Sequence, residues 1–329
     1  MKKQRIQELD YMKGSAIILV IMGHVVQFSL LMQDTNIVGL IGIFHMPIFF
    51  TVSGYLSYKC FSTNVCVSEY IKKLAKRSRI LLIPLIIWSL VSNLMPYNVS
   101  PSISVIYRGG YWFFYSLWWC DIINTVLSYI SNRFKSTLKF DLLLYAIVYA
   151  IILVGRVTNI ELGGFLPTTS LQYYFPFFII GLLMKKYEAI QNIFLNKYSY
   201  AVGLLIVLIG WYFRGLQSYP LFALAALGAV IVAWMSCKEI NPDKKIAKAL
   251  GIVGRNTLPI YAIHYFFIAE LPIAWHNFVN VPMGFFFQFV IALCYSLIVV
   301  LLCLVIDRII SFNPLTRMLF FGETKKREW

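Results

Sequence analysis

The stretch that decides the fold is the first long apolar run, Gly14-Ser-Ala-Ile-Ile-Leu-Val-Ile-Met-Gly-His-Val-Val-Gln-Phe28, with Lys13 before it and His24 inside it. A helix of this composition is typical of a membrane span, where an ionisable residue is costly and indicates a functional site. Lys13 and His24 share a helical face, about 16 Å apart along the axis. A surface cation and a proton-transfer group near the midplane suit an anionic, elongated substrate. A histidine that only hydrogen-bonds a neighbouring helix is the simpler alternative.

The whole chain has the composition of a membrane protein. Its 329 residues are 60% hydrophobic and 13% charged, which leaves too little polar surface for a soluble domain. We therefore predict an all-α fold, a single polytopic transmembrane domain over residues 1–329. Ten apolar segments indicate ten spans, at 14–33, 36–58, 80–96, 111–130, 141–155, 171–185, 199–214, 219–237, 257–275 and 284–306.

The distribution of cations predicts the orientation. With the N-terminus inside and alternating spans, 26 of the 29 Lys and Arg residues fall on the cytoplasmic side. Both termini are thus predicted to be cytoplasmic, in a multi-pass protein of the bacterial plasma (inner) membrane. Topology and anionic lipid explain the net charge of +15, so the bilayer is a predicted partner and nucleic acid is not. The six cysteines show neither metal-ligand spacing nor an expected disulfide.

A second histidine and a basic cluster follow. His45 lies about ten residues into the second span, at a depth resembling that of His24, and Pro47 can kink this helix. Six cations fill the short segment 59–79, among them Lys76, Arg77 and Arg79. The positive-inside rule alone explains part of this cluster, but it also suits a phosphate-rich ligand.

Motifs in one order along the chain resemble those of a known family. They are Leu9-Asp10-Tyr-Met-Lys13-Gly14 leading to Gly23-His24, Phe44-His45-Met-Pro47, Ser53-Gly54-Tyr55, Tyr111-Trp112-Phe113, Phe175-Pro176-Phe177-Phe178 and Ile260-Tyr261-Ala-Ile-His264. With them the chain resembles acyltransferase family 3, membrane O-acyltransferases that include fucose O-acetylases and bacterial polysaccharide O-acetyltransferases.

The resemblance implies roles for particular residues and ligands. The family's first helix carries Arg or Lys, ten intervening residues and His, as Lys13 and His24 do. An Arg-x-x-Arg pair at the third helix is matched by Lys76-x-x-Arg79, with Arg77 offering a rival register. Acetyl-CoA is implied as a cytoplasmic co-substrate, without a tightly bound cofactor. The implied acceptor is a hydroxyl of a glycan or lipid-linked sugar.

Histidine chemistry agrees with this implication. A neutral imidazole is a suitable general base near pH 7, so His24 can take the proton of a sugar hydroxyl. It can equally take the acyl group first, as a covalent relay. The sequence leaves both routes open. Donors for a tetrahedral oxyanion could come from His45, Ser53, Tyr55 or Trp112.

Three further polar residues lie in or near apolar runs. His264 falls about two turns into the ninth span, where a packed histidine bonded to a carbonyl is the alternative. Glu270 lies near the outer surface, within reach of a sugar hydroxyl or simply at the interface. Asp121 is predicted to orient a histidine or pair with a cation, and is grouped with His24 and His45 as catalytic.

Two other functions stay open at this point. Midplane histidines and proline-broken helices also suit a proton-coupled transporter or flippase, although no inverted repeat is evident. An acyltransferase that uses another acyl-CoA or a non-glycan acceptor is the second alternative. Homo-oligomerisation is likewise left open.

Overall fold

The helices follow the apolar runs of the sequence. The computed structural model describes residues 5–30, 36–59, 66–93, 110–134, 137–158, 165–212, 219–268 and 285–324, within which there is no strand. The all-α prediction is therefore confirmed. The helices are α1 (Gln7–His24), α2 (Asn36–Ser57), α3 (Val67–Asn93), α4 (Trp112–Arg133), α5 (Leu138–Val157), α6 (Thr168–Lys186), α7 (Glu188–Phe194), α8 (Lys197–Tyr212), α9 (Tyr219–Lys238), α10 (Lys245–Arg255), α11 (Thr257–Ile263), α12 (Phe285–Ile310) and α13 (Pro314–Phe321).

Most of the predicted spans coincide with one of these helices over their described parts. The predicted ninth span is an exception, because α11 ends at Ile263 and a 3-10 turn follows at His264–Phe267. Not all of the helices are long and apolar enough to cross a membrane unaided. Helix α3, for example, has charged residues throughout its first half. Helices α7 and α8, bent by 55°, form a candidate broken span. Five single helices qualify within the described ranges, at Gln7–Ser29, Val38–Ser57, Leu138–Val157, Pro220–Lys238 and Phe286–Ile310. The count of ten and the side of the termini stay predictions.

The chain forms two compact units. The first unit comprises Met1–Val52, Asn192–Ile309 and Arg327–Trp329. In it, α1 and α10 touch backbone to backbone, because a Cβ atom at Gly254 would lie 1.8 Å from the carbonyl oxygen of Asp10. This close approach fixes the start of α1, which carries the first polar residues of the candidate site.

The second unit comprises Ser53–Gln191 and Ile310–Lys326. The last turns of α2 lie directly against α6 here, since a Cβ atom at Gly54 would be 1.9 Å from the carbonyl oxygen of Phe178. Phe175 and Phe178 are fully buried beside this contact. The Ser53-Gly54-Tyr55 motif therefore supports close packing of two helices.

A buried ion pair joins α5 to the end of α6 in the second unit. Asp141 is 1% exposed, and its Oδ2 atom lies 2.5 Å from Lys186 Nζ. The hydroxyls of Ser131 and Tyr187 each donate to the same carboxylate at 2.8 Å. Three donors thus satisfy a charge that burial would otherwise make costly.

Candidate active site

His24 lies at a break in regular helix geometry. Helix α1 ends at His24 and continues as a single π-helical turn, Val25–Ser29, a distortion that often marks functional sites. The Nε2 atom of His24 is 3.1 Å from the hydroxyl of Tyr265, within hydrogen-bond distance. The ring centroids of His24 and His264 are 5.3 Å apart in a stacked arrangement. The structure therefore brings two of the predicted histidines together and adds a tyrosine that the motif analysis did not select.

The backbone fixes the tautomer of His264. Its side chain has no exposed surface, and its Nδ1 atom lies 2.7 Å from the carbonyl oxygen of Tyr261. A carbonyl only accepts, so Nδ1 carries a hydrogen and Nε2 of the neutral ring carries a lone pair. Among the described residues, neither the Nε2 atom of His264 nor the Nδ1 atom of His24 has a hydrogen-bond partner, and both atoms are buried. Two buried ring nitrogens with unused hydrogen-bonding capacity in one cluster are consistent with a catalytic role or with bound water.

His45 is oriented in a similar way. Its Nδ1 atom lies 2.6 Å from the carbonyl oxygen of Ile41, one turn earlier on α2, so Nδ1 again carries a hydrogen. A Cβ atom at Gly23 would meet the side chain of Ile41 at 3.4 Å. This packing places Ile41, the residue whose carbonyl oxygen orients His45, beside the residue preceding His24.

Lys13 belongs to a small charge cluster near the start of α1. Asp10 is 5% exposed and pairs with Lys13 Nζ at 2.8 Å and with Arg5 Nε at 2.5 Å. Two cations share one carboxylate, so the cluster retains a net positive charge. Asp10 was quoted in the family motif but assigned no role. Its three-residue spacing from Lys13 on a helix was the available signal.

Asp121 pairs with a cation in the second unit. Its Oδ2 atom accepts from Arg77 Nε at 2.9 Å, and the carboxylate is 5% exposed at the side chain. This contact is one of the two interpretations offered for Asp121. It also compensates the charge of Arg77, a predicted donor-binding residue. The catalytic assignment of Asp121 stays a prediction.

Two other members of the basic cluster have different surroundings. Lys76 is exposed to solvent. Arg79 donates from Nε to the carbonyl oxygen of Gly322 at 3.0 Å and from Nη2 to the hydroxyl of Thr324 at 3.3 Å. In the Lys76-x-x-Arg79 register, the cations have no carboxylate partner within the described residues, whereas Arg77 has one.

The remaining candidates are distributed over the second unit. Tyr55 is buried, and Lys185 Nζ lies 3.4 Å from its hydroxyl and 4.9 Å from the centroid of its ring. Lys185 is not among the site residues predicted from the sequence. Ser53 is partly exposed. Trp112 stacks on Tyr174 with ring centroids 5.5 Å apart, an aromatic surface of the kind that sugars stack on. Glu270 lies outside the described residues.

Comparison with known proteins agrees with the motifs. The acyltransferase domain model of acyltransferase family 3 matches residues 6–308. The nodulation protein NolL of Mesorhizobium japonicum is 25% identical over 297 residues, which cover 77% of this chain and 74% of that protein. NolL of Sinorhizobium fredii is 28% identical over 189 residues, covering 53% of this chain and 47% of its own length. No solved structure matches.

Proposed function

Because the chain belongs to acyltransferase family 3, we propose that it transfers an acetyl group from acetyl-CoA to a hydroxyl of a surface polysaccharide or lipid-linked sugar. The family match confirms the predicted enzyme class, an acyltransferase, and with the relatives it supports a membrane O-acyltransferase rather than a transporter. The proposed location is the bacterial plasma membrane, consistent with the apolar helices. The acetyl group, the glycan acceptor and this location are parts of the proposal.

The observation that carries the proposed chemistry is the cluster of His24, His264 and Tyr265. His24 has one ring nitrogen at hydrogen-bond distance from a hydroxyl, and its other ring nitrogen is buried without a partner among the described residues. A tyrosine hydroxyl that donates to Nε2 would hold the hydrogen of the neutral ring on Nδ1. A hydroxyl that accepts from Nε2–H would leave the Nδ1 lone pair for a substrate. The second arrangement supplies a base within the buried cluster.

Two routes of acyl transfer use this base. In direct transfer, the acceptor hydroxyl gives its proton to His24 while its oxygen bonds to the thioester carbonyl carbon. The carbon–sulfur bond then breaks, and the imidazolium returns the proton to the leaving thiolate. In the relay route, a His24 nitrogen attacks the thioester carbon, the carbon–sulfur bond breaks and the coenzyme A thiolate leaves. The acceptor hydroxyl then attacks the acyl-histidine, the carbon–nitrogen bond breaks to restore the neutral imidazole, and the hydroxyl proton passes to the thiolate. The geometry supports His24 in both routes.

Cations without a carboxylate partner suit the donor's phosphates. Coenzyme A is strongly anionic, and we assign Lys76 and Arg79 of the second unit to its phosphate groups. Lys13, in the first unit, stays a separate prediction for donor binding. Arg77 is the weaker candidate because Asp121 already compensates its charge. The stacked pair of Trp112 and Tyr174 is the proposed aromatic surface for the acceptor.

The proposal is tested in a deletion strain complemented with the wild type or with His24→Ala. Proton NMR of the surface glycans should show O-acetyl signals with the wild type alone, while both proteins are found at equal amounts in the membrane. Acetyl signals restored by His24→Ala would remove His24 from the chemistry. Equal acetyl content in every strain would contradict the proposed acyl group or acceptor.

A further inference from the structure

The C-terminal segment 313–324 contacts the proposed donor-binding cation. Helix α13 begins after Asn313, whose side chain caps the N–H of Leu315, and it ends at Gly322. Gly322 has φ +64°, the left-handed conformation that glycine adopts at helix ends. The polypeptide therefore turns at Gly322 and leaves its carbonyl oxygen free to accept from Arg79 at 3.0 Å.

Two independent contacts hold this segment on α3. Trp88 Nε1 donates to the carbonyl oxygen of Phe320 at 3.1 Å. The Trp88 ring also stacks on the ring of Phe321, with centroids 6.1 Å apart. Phe321 has no exposed surface. At Gly322 the two backbones touch, since a Cβ atom there would lie 2.2 Å from the carbonyl oxygen of Arg79. The segment is thus seated against α3 at Phe320, Phe321 and Gly322, next to the contact with the Arg79 side chain.

The partners of Arg79 fix its guanidinium without neutralising it. The Gly322 carbonyl accepts from Nε and the Thr324 hydroxyl accepts from Nη2, and both acceptors are neutral. Within the described ranges, Arg79 has no ion pair with a carboxylate. A guanidinium held by neutral acceptors keeps its charge for an anion and loses less rotamer freedom when it binds one.

We infer that the segment Gly322–Thr324 positions Arg79 for the phosphate groups of the acyl-CoA donor. This inference rests on the proposed donor-binding role of Arg79. Gly322 and Thr324 are positioning residues, because they act through the arginine. The C-terminal helix α13 thereby becomes part of the donor site although it carries none of the family motifs quoted above.

The test measures binding of coenzyme A to the full chain in lipid nanodiscs by isothermal titration calorimetry. Thr324→Val removes the hydroxyl with little change in shape, and Thr324→Ser keeps a hydroxyl as the matched control. Loss of this exposed hydrogen bond of 3.3 Å should raise the Kd for coenzyme A about two- to fivefold in Thr324→Val. Thr324→Ser should bind as the wild type does, and kcat and the acceptor KM should be unchanged in both.

Two more variants separate the inference from the proposal beneath it. Gly322→Ala forces the segment away from α3 and should weaken coenzyme A binding at least as much as Thr324→Val. Arg79→Ala should weaken it most. Wild-type affinity in both Thr324→Val and Gly322→Ala, with loss in Arg79→Ala, would overturn the positioning role alone. Wild-type affinity in Arg79→Ala would overturn the donor-binding role of Arg79 itself.

Discussion

The most direct probe of the histidine cluster is Tyr265→Phe. The substitution removes one oxygen atom, the one that lies 3.1 Å from His24 Nε2, and keeps the aromatic ring. That ring packs on His264 with centroids 4.1 Å apart and on His24 with centroids 5.0 Å apart. The packing of the cluster should therefore survive, while His24 loses its hydrogen-bond partner.

The size of the effect follows from the hydrogen bond that is lost. The other ring nitrogen of His24 has no partner, so the variant would leave the imidazole without a hydrogen bond in the described structure. An unsatisfied buried polar atom costs about 1–3 kcal/mol. If that cost falls on the transition state, kcat should fall roughly 5- to 150-fold. The donor KM should change little, because Tyr265 is not among the proposed donor-binding cations.

The assay is steady-state acetyl transfer from radiolabelled acetyl-CoA by protein reconstituted in nanodiscs. Tyr295→Phe is the matched control, because its hydroxyl donates to the carbonyl oxygen of Phe267, near the same helix break, without contacting His24. It should retain most of the wild-type kcat. Wild-type kcat in Tyr265→Phe, or an equal loss in both variants, would refute the reasoning that Tyr265 orients the catalytic imidazole.

Two further predictions concern the packing of α2 against α6 and the pKa of an exposed cysteine thiol. Gly54→Ala should lower the free energy of unfolding by about 1–3 kcal/mol, because the new Cβ atom would meet the carbonyl oxygen of Phe178. Thermal unfolding of the variant measures this loss of stability, and an unchanged Tm would contradict the close contact. A hydrogen bond from the Ser68 backbone lowers the pKa of the exposed Cys66 thiol, so its thiolate forms at lower pH than usual. In a variant that retains Cys66 alone, the rate of maleimide labelling should therefore inflect at a lower pH than it does for a free cysteine thiol, and an inflection at or above the pH of the free thiol would contradict the prediction.

Local sequence was sufficient for the helices and for the identity of the key histidines. Long apolar runs predict helices because the length of an apolar run and the spacing of its apolar residues can both be read from one short stretch of sequence. His24 and His45 could be identified because an ionisable side chain within such a run is energetically costly and therefore indicates a candidate functional site. The spacing of Lys13 and His24 placed them on one face of one helix. The family motifs then gave these residues a shared chemistry.

Contacts between distant parts of the chain could not be predicted in this way. The hydroxyl of Tyr265 lies beside His24 because α11 ends and a 3-10 turn begins at His264. No local sequence pattern predicted this change of helix type. Arg79 and Gly322 are 243 residues apart, and their contact depends on how α13 folds back onto α3. Sequence reasoning therefore found the cations but not the groups that hold them.

The buried pair of Asp141 and Lys186 also has a consequence for biogenesis. Asp141 lies in the first turn of α5, and Lys186 is the last residue of α6, so the two charges belong to segments synthesised at different times. Each charge lies at an end of its helix, and the long Lys186 side chain can reach the membrane surface while its partner is absent. Once α6 has emerged from the ribosome, the two charges can pair, and pairing removes the cost of burying either charge alone. The ion pair therefore favours burial of the ends of α5 and α6 together, as one hairpin.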